Sequence, residues 1–315
     1  MSNNTTILCI EPDEIYCSVF SKILSAGPYE LHFQQINDQS DGFQEVEEDI
    51  LFCSLEIHGC DVFALYKKIR EKQPQLPIIF FTNENINHYL EDFSQTEGTN
   101  VMVKPFTREE LLFFLDKLVH KNRAFGLKNY LKQGSTVKTF FLQETVEIRE
   151  TITNMFILAK KWGFEFDYDF KIDLIVHELL INALYHAYGY EEEKKQGILI
   201  SLPDGEVVEV EVGHDENRFG VSITDFKGNL SRARILEALR ALEKQHCADL
   251  FFDQRSDVSI MDIFRQHGRG IDIVRRNSGE YYFIIEKEKR TQAIIIFDKN
   301  FEKDDEYTSI RIIEV

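Results

Sequence analysis

Residues 49–63 read DILFCSLEIHGCDVF: an apolar run that closes on Ser54, a short polar turn, and the start of a helical pattern that continues over 62–71. The same grammar repeats on both sides. Upstream stand ILCI (7–10), a helical pattern over 13–25, and LHFQQI (31–36); downstream stand PIIFF (77–81), NVMV (100–103) and a helical pattern over 107–121. Strand and helix alternating through about 115 residues predict an α/β fold, a doubly wound parallel sheet with helices on both faces. Ligands of such sheets gather at the C-terminal ends of the strands. The residues at those ends are Glu11, Pro12 and Asp13, then Ser54, then Thr82, then Lys104 with Pro105.

With 315 residues, 43% of them hydrophobic and 12% aromatic, the chain has material for two cores. Its 36 Lys and Arg against 54 Asp and Glu give a formal charge of −18, which disfavours direct nucleic-acid binding and anionic membrane surfaces and favours a protein partner or a small ligand. The five cysteines (Cys9, Cys17, Cys53, Cys60, Cys247) form no CxxC pair, and four lie among apolar residues, the pattern of reduced core cysteines with neither zinc nor a disulfide framework indicated. The start, MSNNTTILCIEPDE, lacks a basic segment followed by an apolar one, and no apolar run approaches the roughly 18 residues of a membrane span, so the expected location is the cytoplasm.

Over nearly all of this first half the chain resembles the response-regulator receiver domain, a flavodoxin-like fold, most closely in the 49–63 segment and in VKPF (103–106). The family places a phosphoacceptor Asp at the end of the third strand, where this chain has Ser54. Of its paired acidic Mg²⁺ residues one is replaced, because Glu11 is followed by Pro12, with Asp13 next to them; Thr82 and Lys104 keep the family's identities. An acyl phosphate needs a carboxylate nucleophile and a metal held by neighbouring carboxylates, which a serine hydroxyl does not supply. The reading is therefore a receiver-like domain over 1–121 that lacks the phosphoacceptor and serves docking or dimerisation. Lys104, Pro105 and Thr82 are expected in packing and turn formation, and Glu56 solvated in the following loop. A linker is expected over 122–136, where NRAFGLKNYLKQG carries two glycines and several basic residues.

The remainder, 137–315, has another grammar. A strand-like TVKTFFL (136–142) precedes helical patterns over 145–162 and 169–187; strand runs GILISL (197–202), VVEVEVG (207–213) and FGVSITD (219–225) follow, then a long stretch to His267, HGRG (267–270), a helix, and the runs YYFIIEKE (281–288) and AIIIFD (293–298). Helices before mainly antiparallel strands predict an α+β sandwich with helices on one face of a mixed sheet.

Chemistry concentrates here. HELLINALYHAYG (177–189) sets Glu178, Asn182 and either Tyr185 or His186 at successive i, i+4 steps, so a carboxylate and an amide oxygen share one helix face, a pairing suited to a metal ion and an attacking hydroxyl. Asp225 ends a strand run, where it could accept from an exocyclic amine, and Gly228 follows, where a flat ring could approach the backbone. Gly268 and Gly270 precede a helix, whose N-terminus and turned backbone N–H groups favour phosphate.

In this order the three motifs resemble the N box and the two glycine boxes of the GHKL ATPase superfamily (the HATPase domain of gyrase, Hsp90, histidine kinases and MutL). With GRGIDIVRR (268–276) they are most similar to the anti-sigma-factor serine/threonine kinase branch, over about residues 137–298. The resemblance implies ATP and Mg²⁺ as cofactors: Asn182 on the metal, Glu178 as general base on a substrate hydroxyl, Asp225 on the adenine amine, Gly228 beside the ring, and Gly268, Arg269 and Gly270 at the phosphates. His186 matches a His or Lys often found at its position in that branch, and also suits a helix cap.

One departure stands in the first glycine box, where Lys227 replaces a glycine. If that position required positive φ the cost would be about 1 kcal/mol, and the side chain could obstruct the ring. Residues 231–266, the family's lid, carry Arg232, Arg234, Arg240, Arg255 and Arg265, any of which could reach a γ-phosphate or lie on a solvated face. A zinc-protease His-Glu-x-x-His is excluded by Ile181, and His120 in LVHKNRAF is not a histidine-kinase phosphoacceptor motif.

The functional expectation is a cytoplasmic two-component-type regulator in which a receiver controls an ATP-dependent protein serine/threonine kinase. The resemblance implies a sigma factor and an antagonist protein as partners, and suggests a homodimer. Two alternatives stand beside it: a non-catalytic nucleotide-sensing scaffold, and a histidine-kinase-like ATP domain acting in trans.

Overall fold

Every residue of the strand Ile50–Ser54 is buried, as a strand must be when helices cover both faces of its sheet. In the computed structural model, which describes residues 4–35, 46–96, 100–165, 169–238, 280–299 and 309–315, this strand is the centre of the first of two units. The first unit comprises 1–120 with 306–311, and the second 121–305 with 312–315.

The first unit runs β1 (Thr5–Ile10), α1 (Glu14–Leu24), β2 (Tyr29–Phe33), β3 (Ile50–Ser54), α2 (Val62–Lys72), β4 (Ile78–Thr82), α3 (Leu90–Thr96), β5 (Asn100–Val103) and α4 (Arg108–Val119). Its strands are all parallel in the order β2-β1-β3-β4-β5, the flavodoxin-like doubly wound order with its switch point between β1 and β3. Phe20, Phe52 and Phe81 meet with ring centroids 4.8–5.3 Å apart, and Phe106 stacks on Phe20. Asp13, Asp61 and Thr107 cap α1, α2 and α4 by accepting from backbone N–H groups in the first turns. The outer edge of β5 is closed by the C-terminal segment: Val101 and Ile310 exchange both backbone hydrogen bonds at 2.9 Å, Ser309 Oγ accepts from Val103 N, and Arg311 pairs with Glu110.

In the second unit α5 (Ile148–Lys161) and α6 (Asp169–Ile181) precede a short α7 (Glu191–Gln196). The strands β6 (Thr136–Leu142), β7 (Val208–His214), β8 (Arg218–Asp225), β9 (Glu280–Glu286), β10 (Arg290–Asp298) and β11 (Ile312–Glu314) form a sheet ordered β11-β9-β10-β8-β7-β6. Only the β11–β9 pair is parallel. Register places Val210, Val221, Ile223, Ala293 and Ile295 on one face, where Trp162 at the end of α5 lies against His214, ring centroids 4.6 Å apart.

Residues 124–131 cover the other face. Ala124, Leu127 and Tyr130 are fully buried, Tyr130 meets the Tyr282 ring at 4.8 Å, and a Cβ on Gly220 would come within 2.7 Å of Leu127 Cδ1. A buried polar clamp fixes this strap: Gln292 Oε1 accepts from Gly126 N at 2.7 Å, Glu211 Oε2 from Leu127 N at 2.8 Å, and Gln292 Nε2 donates to Thr224 and Ser222. The expected linker of 122–136 is thus part of the second unit, because its basic and glycine residues alternate with apolar ones that find a sheet face.

GILISL forms no strand beyond one bridge, Glu144 to Ser201. Ile198 and Leu199 stay exposed there, so an apolar run is not a buried one. The helix expected to 187 changes pitch at residues 182–186, where Ala187 N donates to Asn182 O five residues back, a π turn.

Candidate functional site

At the C-terminal end of the first sheet the polar residues are tied to one another. Lys104 Nζ donates to Glu11 Oε2 at 2.6 Å with both side chains almost fully buried, and the same ammonium lies 4.3 Å from the Tyr16 ring centroid. Glu11 Oε1 accepts from Asp13 N, and Asp13 itself caps α1 through Ile15 N. Lys104 and Thr82, expected in packing and turns, instead hold ionic and hydrogen-bonding partners. Glu56 is half-buried rather than solvated. Its Oε1 accepts from Thr82 Oγ1 and from Asn83 N at 3.1 Å, and its Oε2 from Ser54 Oγ at 3.3 Å. Its burial is not legible in the sequence, because spacing along one strand does not reveal that the end of β4 delivers two donors beside it.

In the second unit, one end of α6 gathers three of the expected residues around a fourth. Lys194 Nζ donates to His186 Nε2 at 3.0 Å and reaches Asn182 Oδ1 at 3.4 Å. Burial pushes the Glu178 carboxyl up, opposed by Lys194 and His177, and burial pushes the Lys194 ammonium down, opposed by Glu178. Asn182, His186 and Lys194 are therefore in direct contact, with Glu178 close enough for Lys194 to act on its charge. Of the alternatives at the third helix position, Tyr185 is core, donating to Ile198 O at 2.8 Å, while His186 turns toward the cluster.

Lys194, in the charged run EEEKK (191–195), belongs to none of the sequence motifs. It arrives because the chain doubles back after the π turn, with Tyr190 N on Tyr185 O and α7 immediately following. Such a reversal leaves no periodic signal.

Asp225, at the end of β8, is buried. Its Oδ1 accepts from Lys227 N and Gly228 N, both at 3.0 Å; burial raises its carboxyl above the ordinary range against the pull of these two N–H groups. Directly cross-strand stands Thr291, also buried, whose Oγ1 makes no well-formed hydrogen bond among the described residues. The loop after Asp225 is stitched to the end of the helical segment by Asn229 Nδ2, which donates to Ala187 O at 2.7 Å. Burial, then the charges of Glu206 and Asp225, raise the neighbouring Tyr188 phenol.

Positive φ in this loop falls on Gly228, at 63°, while Lys227 keeps an ordinary backbone. The Lys227 ammonium pairs with Glu206 Oε1 at 2.5 Å and sits over the Tyr188 ring, so the expected strain at Lys227 is not present. A Cβ on Gly228 would lie 2.4 Å from Glu286 O and 2.7 Å from Lys289 N. The β9–β10 turn is thus the neighbour that this glycine admits.

Gly268, Arg269 and Gly270, with Arg240, Arg255 and Arg265, lie outside the described residues. Of the remaining arginines of 231–266, Arg232 pairs with Glu314. A separate open cavity of about 600 Å³, lined by residues of α5 and α6 including Arg149, Asp173 and His177, does not include Glu178 or Asn182. Among the described residues no three His, Cys, Asp or Glu side chains gather as a metal site, and no helix is long and apolar enough to cross a membrane.

Comparison with known proteins bears on the first unit. Residues 7–116 match the response regulator receiver domain family. Among solved structures, the signal receiver domain of an HD domain-containing protein from Pseudomonas fluorescens Pf-5 is 20% identical, covering 39% of this chain and 93% of that one, with a TM-score of 0.35. A two-component response regulator from Clostridium difficile is 21% identical, covering 38% and 98% of the two chains, with a TM-score of 0.34. No match to the chain is found among curated proteins. The N-terminal unit is a response regulator receiver domain, with Ser54 at the end of its third strand.

Proposed function

We propose that the second unit binds ATP with Mg²⁺ and acts as a protein serine/threonine kinase of the anti-sigma-factor type, controlled by a receiver domain that is not itself phosphorylated. The observation that carries this reading is the meeting of Asn182, His186 and Lys194 at one end of α6 with Glu178 beside them. The donor chemistry fits the group: an amide oxygen and a carboxylate are hard oxygen ligands suited to Mg²⁺. Asp225 offers a buried acceptor at the end of β8, with the Thr291 hydroxyl beside it across the strand.

Bound Mg²⁺ would supply positive charge against the phosphates. Asn182 would hold it, Lys194 would lend a second positive charge, and Asp225 would accept from an adenine amine. Glu178, its carboxyl raised by burial, would take the proton from a substrate serine or threonine hydroxyl. The substrate on this reading is an antagonist protein, and the regulated partner a sigma factor or similar target. The test is transfer of label from [γ-³²P]ATP to candidate antagonist domains with Mg²⁺. Glu178→Ala abolishes transfer if Glu178 is the base, and transfer that ignores the substitution refutes the assignment.

One observation favours a second reading, a non-catalytic scaffold. Lys194 already reaches Asn182 Oδ1, the oxygen assigned to the metal. Calorimetric titration separates the two: absence of binding at millimolar Mg-ATP leaves only the scaffold.

A further inference from the structure

Glu56 is surrounded as a bound anion is, not as a loop carboxylate. Three donors from two different strand ends converge on it: Ser54 Oγ from the end of β3, and Thr82 Oγ1 and Asn83 N from the end of β4. Ser54 is 1% exposed and Thr82 fully buried. A threonine hydroxyl has one proton, and Thr82 Oγ1 already accepts from Glu84 N at 2.9 Å. Its own proton is donated to Glu56 Oε1. Backbone N–H and hydroxyl groups aimed together at one point at the C-terminal end of a parallel sheet make a small oxyanion cradle.

Nearby cationic charge is already spent. Lys104 is bonded to Glu11 at 2.6 Å. A free anion entering the cradle would have to displace a carboxylate that is tethered through the backbone two residues from Ser54. It would do so without that ammonium unless the buried pair opened, and breaking a buried pair is strongly disfavoured.

We propose that Ser54 Oγ, Thr82 Oγ1 and Asn83 N form an oxyanion-binding site whose occupant is the chain's own Glu56 carboxylate. The ligand class is a carboxylate or a phosphate-like oxyanion, and the site opens to such ligands only when Glu56 is removed. This holds whatever the second unit binds.

The test is thermal melting of the full-length protein, wild type against Glu56→Ala and Glu56→Gln, in sodium acetate, in sodium phosphate, and in sodium chloride of equal ionic strength. Wild type sets the baseline, shifting between the salts only by their general effect on burial and by any binding to the second unit. Glu56→Ala melts lower in chloride and recovers on the order of 3 °C in acetate, in phosphate or in both, as expected when a ligand binds only the folded state. The acetate and phosphate arms tell whether the cradle selects a planar carboxylate or a tetrahedral anion. In the ¹⁵N–¹H spectrum of Glu56→Ala, the Asn83 amide moves with the effective anion.

A Glu56→Ala protein that responds to neither anion beyond the wild type overturns the proposal. If Glu56→Ala does not fold in chloride, recovery of the folded protein by acetate or phosphate supports it. Without such recovery Glu56→Gln decides, since a lower melting temperature than wild type is expected for loss of the charged acceptor, and an unchanged one refutes the site.

Discussion

Glu11 is buried and Glu178 half-buried, each beside a lysine, and the two carboxylates meet different fates. Glu11 receives Lys104 at 2.6 Å, with both side chains sealed at 2% exposure or less. Glu178 shares Lys194 with Asn182 and His186, and its carboxyl is raised by burial. A charge matched inside a closed sheet end has nothing left to offer a ligand. A charge whose counter-ion is divided among three groups keeps coordination in reserve. The first is a structural joint, and the second is where chemistry would be sought.

The largest effect comes from breaking the joint. Lys104→Met should destabilise the receiver domain by about 3–5 kcal/mol, because Glu11 is left charged without its partner. Adding Glu11→Gln should return part of that loss, and denaturant titration of the single and double variants measures both. A single variant as stable as wild type would show that the pair is not closed.

Next in size is Gly228→Ala, which puts a Cβ against Glu286 O in a left-handed backbone. Strain alone costs about 1–3 kcal/mol, and the same denaturant titration reports it.

Asp225→Asn sharpens the contrast through its sign. Because the folded carboxyl titrates above its ordinary value of 3.8, the folded state binds its proton more tightly than the unfolded state. Stability from this group is thus greatest below the ordinary value and declines as pH rises through the raised one. Asparagine still accepts from Lys227 N and Gly228 N without the buried charge. The variant should therefore gain on wild type as pH is raised from 4, followed by melting temperature, while losing nucleotide binding if the proposed function holds. Asp215 is the internal control. Burial pushes it up, but the Lys132 and Asn217 N–H groups and Arg218 outweigh this and hold it below the ordinary range. Asp215→Asn should therefore lose stability at neutral pH and converge on wild type in acid.

The smallest effect is expected at Lys227→Ala. A partly exposed ion pair contributes about 0–1 kcal/mol, so this change should leave melting nearly unmoved.

How far the sequence carries follows from what makes each pattern. The receiver strands are legible because a sheet covered on both faces writes continuous apolar runs, and VKPF marks the end of β5. Glu178, Asn182 and His186 are legible because helical spacing brings them together, even across the π turn. Lys194 and Thr291 are not, since one arrives by a chain reversal and the other by cross-strand register to Asp225. Glu56 was visible, but its solvation was misjudged, because the donors at Thr82 and Asn83 come from 26 and 27 residues away. The strap over 124–131 was hidden by its composition, whose basic residues and glycines read as a linker until Leu127 and Tyr130 are seen buried.

Residues 309–311 complete the open side of β5, and the bond from Val103 to Ser309 spans 206 positions of sequence. At synthesis rates of about 5–20 residues per second, roughly 10–40 seconds separate the emergence of that strand from the arrival of its cover. A nascent chain therefore presents an unguarded row of amides and carbonyls throughout that interval, the kind of edge to which another polypeptide adheres.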